Sequence, residues 1–390
     1  MSRRTALLVA VCLLGAGGPA AAQAGPSWQD LRTFYQQTAQ REGIIGGSLL
    51  LIQGGRTIGP APYGMADLAS GRAVDSNTIF HWASITKTFT AIAIMQLRDR
   101  GLLSLDDPIV KYVPELREVH DPYGPVDSIT IRHLLSHSAG FRNPTWPWGG
   151  DQPWQPFEPT RWAQLVAMMP YTGILFRPGS RYSYSNPGFI FLGRVIEALT
   201  GDDYEVYMEK NVLRPLGMRH SYFDRTPYHL LRYRSNNYTV TNGTPVPNGL
   251  DFDTGITVSN GGLNAPLTDM ARYLRFLVGA TGLTEEAKNV LARSSLEEMW
   301  RPQVPVEGVA NAKEFVGLSF FIHDEGAVRV IGHTGSQASF RSFFYVHPET
   351  KSAIIAVFNT VAADGEAHPT VAPLFDGLRE RFLAGVTAER

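Results

Sequence analysis

Ser84 and Lys87 stand three residues apart in an S-x-x-K spacing. On a helix this spacing is nearly one turn, so both side chains lie on the same face. A serine hydroxyl is a weak nucleophile until a neighbouring base takes its proton, and a lysine can be that base when its ammonium is desolvated or lies beside another cation. The pair therefore predicts nucleophilic attack by Ser84 with Lys87 as its base. The spacing also arises by chance on exposed helices, so the surrounding sequence must decide between these interpretations.

The residues that follow this pair favour the catalytic interpretation. Residues 89–97 are apolar nearly all round a helix, which is typical of a buried helix. Arg98 and Arg100 fall in its last turn and Gly101 supplies the stop. A buried helix with this pair in its first turn would point its N-terminal N–H groups at the bond that the serine attacks.

The whole chain has 390 residues, of which 44% are hydrophobic and 18% charged, with a formal net charge of -1. This length is ample for a sizeable core. The near-neutral charge argues against a nucleic-acid partner or an anionic membrane surface held by bulk electrostatics.

Residues 1–24 have the features of an export signal. Arg3 and Arg4 precede a short apolar run, and small residues near position 24 suit cleavage. The sole cysteine, Cys12, lies inside this run, so the mature protein would have no thiol, disulfide or Cys-ligated metal. We therefore expect a periplasmic or secreted protein with no stable membrane anchor after cleavage, exported by either the Sec or the twin-arginine route.

The order of the remaining elements predicts an α+β fold. A helix at 28–42 and a hairpin at 46–63 open the chain, and four strand-like runs followed by a helix close it. We expect an antiparallel sheet built from both chain ends, flanked by the terminal helices, with a mostly helical subdomain inserted. One hydrolase domain at 25–390 would then have an α/β part at about 25–89 and 301–390 and a helical part at about 90–300. The closing strands are predicted at 315–322, 328–334, 339–346 and 352–359, and the closing helix at 371–386.

An aromatic segment between residues 141 and 162 interrupts the helical part. Four tryptophans fall there among Pro, Gly and Gln, which excludes a regular helix, at positions Trp146, Trp148, Trp154 and Trp162. The segment is either a loop that the tryptophans fasten to the body or an apolar wall over the active-site cleft.

Two further motifs follow in order, Tyr184-x-Asn186 and His333-Thr334-Gly335. With the S-x-x-K pair they make the chain resemble the serine β-lactamase and penicillin-binding-protein superfamily, and its class C-like branch in particular. That branch includes D,D-peptidases, D-aminopeptidases and family VIII carboxylesterases. The resemblance runs from about residue 44 to 379.

The resemblance implies a β-lactamase/transpeptidase-like fold and a role for each motif residue. Ser84 would form an acyl-enzyme, while Lys87 and Tyr184 would share the handling of its proton. The other positions would bind the substrate: Asn186 beside the lysine, and His333, Thr334, Gly335 and Ser336 on the strand that forms one wall of the cleft. The backbone N–H groups of Ser84 and Ser336 would make the oxyanion hole. No cofactor and no metal is implied.

His333 departs from the β-lactamases, which usually have lysine there. A histidine offers less positive charge to a substrate carboxylate at neutral pH, which argues against an efficient β-lactamase. The aromatic segment favours an apolar acyl or alcohol group, so a small carboxylic ester or amide is the favoured substrate. Two alternatives stay open. One is a peptidase acting on D-amino-acid or peptidoglycan-like peptides with weak β-lactamase activity, and the other is a binding or sensor protein that is acylated without turnover. Four other histidines lack metal-ligand spacing and are interpreted as structural: His133, His137, His220 and His229.

Overall fold

The computed structural model describes residues 27–141, 159–250, 253–306, 313–324, 326, 328–363, 365 and 367–388. The predicted signal segment and three tryptophans of the aromatic segment lie outside the described residues. Its fourth tryptophan, Trp162, is described. The Trp162 ring packs edge-on against Phe191 at 6.3 Å and its indole N–H donates to Glu115 at 3.3 Å, so this end of the segment is fastened to the body.

The strands are numbered in chain order. They are β1 Gly46–Gln53, β2 Arg56–Asp67, β3 Arg72–Ala73, β4 Ile79–His81, β5 Tyr222–Phe223, β6 Tyr238–Thr241, β7 Thr244–Pro247, β8 Leu263–Pro266, β9 Val304–Pro305, β10 Glu314–Val316, β11 Phe321–Asp324, β12 Arg329–Gln337, β13 Phe340–His347, β14 Ser352–Phe358 and β15 Thr360–Ala362.

The α-helices are numbered in the same way. They are α1 Trp28–Arg41, α2 Thr86–Asp99, α3 Ile131–Leu135, α4 Trp162–Met168, α5 Asn186–Thr200, α6 Tyr204–Met208, α7 Arg214–Leu216, α8 Val258–Gly261, α9 Leu267–Leu277, α10 Glu285–Lys288, α11 Arg293–Met299 and α12 Ala372–Ala388. A π-helical turn, Glu209–Leu213, joins α6 to α7. Short 3₁₀ turns complete the described helical structure, at Ala83–Ile85, Ile109–Lys111, Pro114–Glu118, Val126–Ser128, Met169–Tyr171, Tyr228–Tyr233 and Gly255–Thr257.

Both ends of the chain contribute to one antiparallel sheet. In the described residues its strand order is β3-β2-β1-β14-β13-β12-β11-β10-β9. Strand β1 pairs with β14, from Gly47 opposite Phe358 to Ile52 opposite Ala353. The predicted α+β class, with a sheet built from both chain ends, is therefore confirmed. The domain boundaries given above stay a prediction.

The sheet is buried on both faces. Leu50 and Ile52 point into the core shared with the helical block, while Leu49 and Leu51 point into the core under α1 and α12. Alternate residues of a strand face opposite sides, so one apolar run supplies both cores. Each fully buried Leu or Ile contributes about 1.5–3 kcal/mol to the free energy of unfolding.

Short local signals set the ends of several elements. Gly54 and Gly55 both have positive φ, 54° and 78°, which the tight turn between β1 and β2 requires. Ser27 and Asp30 form a reciprocal capping box at the start of α1. Gly201 ends α5 in the left-handed conformation, as its position in the sequence predicts.

One predicted strand is wrong. Residues 315–322 form two short strands, β10 and β11, and not one. A side chain at Gly317 would overlap the Met299 carbonyl oxygen, and Ser319 adopts a φ of 74° while its N–H donates to the Leu135 carbonyl at 2.7 Å. The chain leaves the strand there because these contacts to the helical block turn it.

Candidate active site

Ser84 is the point at which a buried stretch of chain reaches solvent. From Thr78 to Leu97 every residue is buried except Ser84, which is half-buried. It lies in the 3₁₀ turn Ala83–Ile85, which leads directly from β4 into α2. The sequence prediction put Ser84 in the first turn of the α-helix; the structure puts it in the tighter turn just before.

The turn that carries Ser84 is held by Trp82. The Trp82 backbone N–H donates to the Leu263 carbonyl at 2.9 Å, and its indole N–H donates to the Ala265 carbonyl at 2.9 Å. Both acceptors belong to β8, the central strand of a small sheet with order β4-β8-β5. Ala83 follows with a φ of 50°, a conformation that costs a non-glycine residue about 1–3 kcal/mol and is found where surrounding contacts enforce it.

Lys87 is fully buried, and its Nζ lies 3.2 Å from Ser84 Oγ. It also donates to the Asn260 carbonyl oxygen at 2.8 Å. Its other close neighbours include two aromatic rings, with Nζ 4.9 Å from the Tyr184 centroid and 5.6 Å from that of Phe189. Burial lowers the pKa of Lys87 well below its usual value of 10.5, because the charged ammonium has lost its hydration. The amine is therefore held toward its neutral, proton-accepting form.

Tyr184 lies immediately before α5, beside the same two side chains. Ser185 caps this helix, its Oγ accepting from the Gly188 N–H at 3.3 Å. Burial raises the pKa of Tyr184 above its usual value of 10, while a hydrogen bond with Ser84 acts in the opposite direction. The phenol therefore keeps its proton at neutral pH. Asn186 is the first residue of α5, and its carbonyl accepts from the Asn260 side-chain amide at 3.3 Å.

Strand β12 lies on the other side of Ser84, and part of its edge is not paired with β11. It pairs with β11 only as far as Gly332, whereas its pairing with β13 continues to Gln337. Thr334 and Ser336 are exposed on the unpaired portion. Gly335 lies against the Ser84 turn, where a side chain would overlap the Trp82 carbonyl oxygen. The missing Cβ thus lets the strand approach the turn.

His333 is almost fully buried on the same strand. Its Nδ1 lies 2.6 Å from the Thr334 carbonyl oxygen, and since a carbonyl can only accept, Nδ1 carries the hydrogen. The ring contacts Phe321 edge-on at 5.2 Å and lies 6.4 Å from Tyr184. Burial lowers the pKa of His333 to about 3, with a smaller contribution from Lys87, although the bond to Thr334 opposes the shift. The imidazole is therefore neutral at physiological pH.

Two residues beside the reacting groups were not assigned a role by the sequence. Asn260 acts through its backbone carbonyl, so its side-chain type gives no signal for the contact with Lys87. His137, interpreted above as structural, stacks on Tyr184 with ring centroids 4.4 Å apart. Its place in the chain, seven residues after Thr130 in a short helix and turn, gave no sign of this contact.

Within the described part of the chain, no group of three or more His, Cys, Asp or Glu side chains is arranged to hold a metal ion. The same residues contain no helix that is both long and apolar enough to span a bilayer. The absence of a cofactor stays a prediction from the sequence.

Residues 31–374 match the family model described as Beta-lactamase. The chain is 24% identical over 370 residues to Protein flp of Staphylococcus aureus (strain MW2), covering 91% of this chain and 70% of that protein. It is 27% identical over 190 residues to penicillin-binding protein 4* of Bacillus subtilis (strain 168), covering 48% of this chain and 40% of that protein.

Solved structures with the same fold include three kinds of protein. An octameric penicillin-binding protein homologue from Pyrococcus abyssi has a TM-score of 0.72 at 27% identity, covering 90% of this chain and 78% of that one. A D-amino acid amidase from Ochrobactrum anthropi SV3 has a TM-score of 0.70 at 21% identity, covering 92% and 97%. A class C beta-lactamase mutant has a TM-score of 0.72 at 20% identity, covering 92% and 96%.

Proposed function

The chain belongs to the Beta-lactamase family of serine hydrolases, and we propose that it forms an acyl-enzyme on Ser84 and cleaves uncharged carboxylic esters or small amides. The observation that carries the proposal is the buried Lys87 amine, 3.2 Å from the half-buried Ser84 hydroxyl. A neutral amine at this distance can accept the serine proton.

In the first half of the reaction, Ser84 Oγ attacks the substrate carbonyl carbon while Lys87 accepts the hydroxyl proton. The oxyanion that develops is held by backbone N–H groups, for which Ser84 and Ser336 are the proposed donors. Tyr184 keeps its own proton at rest, so it is suited to passing protons along rather than acting as a phenolate base. The proton from the serine reaches the leaving alcohol or amine through Lys87 and Tyr184, and the C–O or C–N bond of the substrate breaks.

In the second half, water attacks the acyl carbon bound to Ser84. One proton of that water passes to the same two groups and returns to Ser84 Oγ as the acyl–oxygen bond breaks. The carboxylic acid then leaves and the enzyme is regenerated. Asn186 is proposed to position the acyl side of the substrate, and Thr334 to bind it from the exposed edge of β12.

The preference for uncharged substrates follows from the state of the two basic groups in the proposed site. Lys87 is held toward its neutral form by burial, and His333 is neutral above about pH 3. Neither offers a fixed positive charge to a substrate carboxylate. A β-lactam or a C-terminal carboxylate would lose that attraction, whereas a neutral ester or amide needs none.

A second candidate is a peptidase that acts on D-amino-acid or peptidoglycan-like peptides. The similarity to a penicillin-binding protein homologue at 27% identity favours it, as does the shared fold with D-amino acid amidase. Both candidates use the same acyl-enzyme on Ser84 and differ only in the groups that flank the scissile bond.

Intact-protein mass spectrometry distinguishes the candidates. Wild type, Ser84→Ala and the control Ser128→Ala, which removes an exposed hydroxyl elsewhere, are each mixed with a nitrophenyl ester series, a D-alanyl-D-alanine peptide and a penicillin. We expect ester turnover by wild type and by the control, and no acyl adduct on Ser84→Ala. Peptide cleavage with a trapped penicilloyl adduct would instead identify the peptidase. A wild type that gains no mass and turns over none of the three would contradict both.

We also propose that the protein is exported with loss of residues 1–24. The charged and apolar pattern of that segment supports the proposal. N-terminal sequencing of protein recovered from the periplasm or culture medium should find a start near residue 25. A product that stays in the cytoplasm with Met1 or Ser2 at its start would contradict it.

A further inference from the structure

His137 contacts Tyr184 and both of its neighbours in the chain. Its backbone carbonyl accepts from the Ser183 N–H at 2.8 Å, and its ring Nδ1 accepts from the Ser185 N–H at 3.1 Å. Its ring lies against the Tyr184 ring, with centroids 4.4 Å apart and an angle of 28° between the planes. One residue thus fixes the backbone before the tyrosine, the backbone after it and the ring between.

The ring nitrogens of His137 have unequal surroundings. Because Nδ1 accepts a backbone N–H, the neutral ring carries its hydrogen on Nε2. That Nε2 is buried and has no hydrogen-bond partner among the described residues. A buried polar atom left unpaired costs about 1–3 kcal/mol. A histidine that only filled space here would therefore destabilise the fold relative to an apolar side chain. This indicates that its other contacts have a function.

The backbone of His137 is also in an unfavourable conformation. Its φ is 53°, in the left-handed region that few non-glycine residues adopt, although Asn, Asp and His do so more often than the others. Such a conformation costs about 1–3 kcal/mol and persists only where the surroundings enforce it. Here it lets the carbonyl and the ring of the same residue both face the segment 183–185. Strain and an unpaired nitrogen therefore coincide at one residue beside the reacting groups.

We propose that His137 is the positioning residue that holds the Tyr184 hydroxyl against Ser84 and Lys87. The inference rests on the proposed function, in which Tyr184 transfers the proton. Tyr184 lies just outside α5, so the helix ladder does not fix its backbone. The two hydrogen bonds to His137 replace that ladder, and the stacked ring restricts rotation of the phenol. His137 itself touches no reacting atom in this role.

Two substitutions separate the contacts. His137→Phe keeps a flat ring for Tyr184 but removes the acceptor for the Ser185 N–H. His137→Asn keeps an acceptor and tolerates the positive φ but removes the ring. We expect each to lower kcat for a nitrophenyl ester by roughly 10- to 100-fold, the effect of a misplacement of up to about 1 Å, with KM nearly unchanged. His133→Asn is the matched control, since it changes a histidine in the same segment that makes none of these contacts, and it should leave kcat unchanged.

The decisive measurement combines these variants with Tyr184→Phe. If His137 acts through the tyrosine hydroxyl, then His137→Asn or His137→Phe should cost little more in the Tyr184→Phe background. Full additivity of the losses, or wild-type kcat in both His137 variants while Tyr184→Phe is slow, would overturn the positioning role alone. Wild-type kcat in Tyr184→Phe would instead overturn the proposed proton transfer, and this inference with it. Thermal unfolding identifies any variant that has not folded, in which case the other His137 variant completes the cycle.

Discussion

Replacing Gly335 with alanine tests whether β12 must lie directly against the Ser84 turn. A Cβ at this position would lie 2.3 Å from the Trp82 carbonyl oxygen and 2.3 Å from Ser342 Oγ. The Ser342 hydroxyl can rotate away, but the Trp82 oxygen is backbone and is held by the contacts of Trp82 to β8. Ordinary contact begins at 3.4 Å, so the strand must retreat from the turn by about 1 Å.

That retreat would separate Ser336 from Ser84 and open the proposed oxyanion hole. A misplacement of about 1 Å costs on the order of 100-fold in rate, equivalent to about 2.7 kcal/mol of transition-state stabilisation. We therefore expect Gly335→Ala to lower kcat/KM for a neutral nitrophenyl ester by roughly 100-fold. Adding Ser342→Ala should not restore activity, because it removes only the movable obstacle.

The assay is steady-state ester hydrolysis, with thermal unfolding measured on the same preparations. Gly173→Ala is the matched control, because its Cβ would lie 3.8 Å from the nearest atom outside its chain neighbours, the His120 carbonyl oxygen, and so would meet none of the reacting groups. It should retain wild-type kcat/KM. A folded Gly335→Ala with wild-type kcat/KM would refute the reasoning that this strand supports the reaction through close contact with the turn. Recovery in the Ser342→Ala double variant would show that the hydroxyl, not the backbone, is the obstacle.

Three further predictions follow from the buried titratable groups. Lys87→Met should slow formation of the acyl-enzyme by roughly 10²- to 10⁴-fold, measured as the burst phase of a nitrophenyl ester, because it removes the base; an unchanged burst rate would contradict this. The ratio of kcat/KM for a carboxylate-bearing ester to that for its neutral analogue should stay flat from about pH 5 to 8, since His333 stays neutral there, and an increase in the ratio below about pH 6.5 would contradict the low pKa of His333. Acid should destabilise the fold. Burial lowers the pKa of three buried histidines, His81, His137 and His333, to about 4 for His81 and about 3 for His333. The unfolded chain therefore binds protons below about pH 6.5 that the folded chain does not. Each histidine should remove about 1.4 kcal/mol from the free energy of unfolding per pH unit below about 6.5, until its folded pKa is reached. Urea unfolding at several pH values should show that the free energy of unfolding of His333→Gln depends less steeply on pH than that of wild type. An equally steep dependence would refute the lowered pKa of His333.

The sequence was most informative where the signal is local. The one-turn spacing of Ser84 and Lys87 does bring Nζ within 3.2 Å of Oγ, because helical geometry fixes that relation over four residues. The apolar residues after them predicted a buried helix, and α2 is buried over twelve consecutive residues. The order of the motifs predicted the family, which the match over residues 31–374 confirms.

The sequence was least informative where the local structure depends on contacts with segments that are distant in the chain. The strands β4, β5 and β8 are two to four residues long, too short for a periodic signal, yet β8 anchors the turn that carries Ser84. The break between β10 and β11 depends on Met299 and Leu135, which are remote in the chain. The contacts of His137 likewise depend on a segment some 46 residues later, which no local pattern specifies.

The pairing of β1 with β14 also has a consequence for the order of folding. These strands are about 300 residues apart in the chain, so this interior pair of the sheet joins very distant segments and cannot form until almost the whole chain is available. Ser84 emerges early during synthesis, whereas the β12 wall emerges late. Until then, β1 would be an apolar strand with one unpaired edge, and such an edge is a site for aggregation. Hydrolytic activity should therefore appear only when the last sheet strands have been made, and a chain truncated before β14 should be both inactive and prone to aggregate.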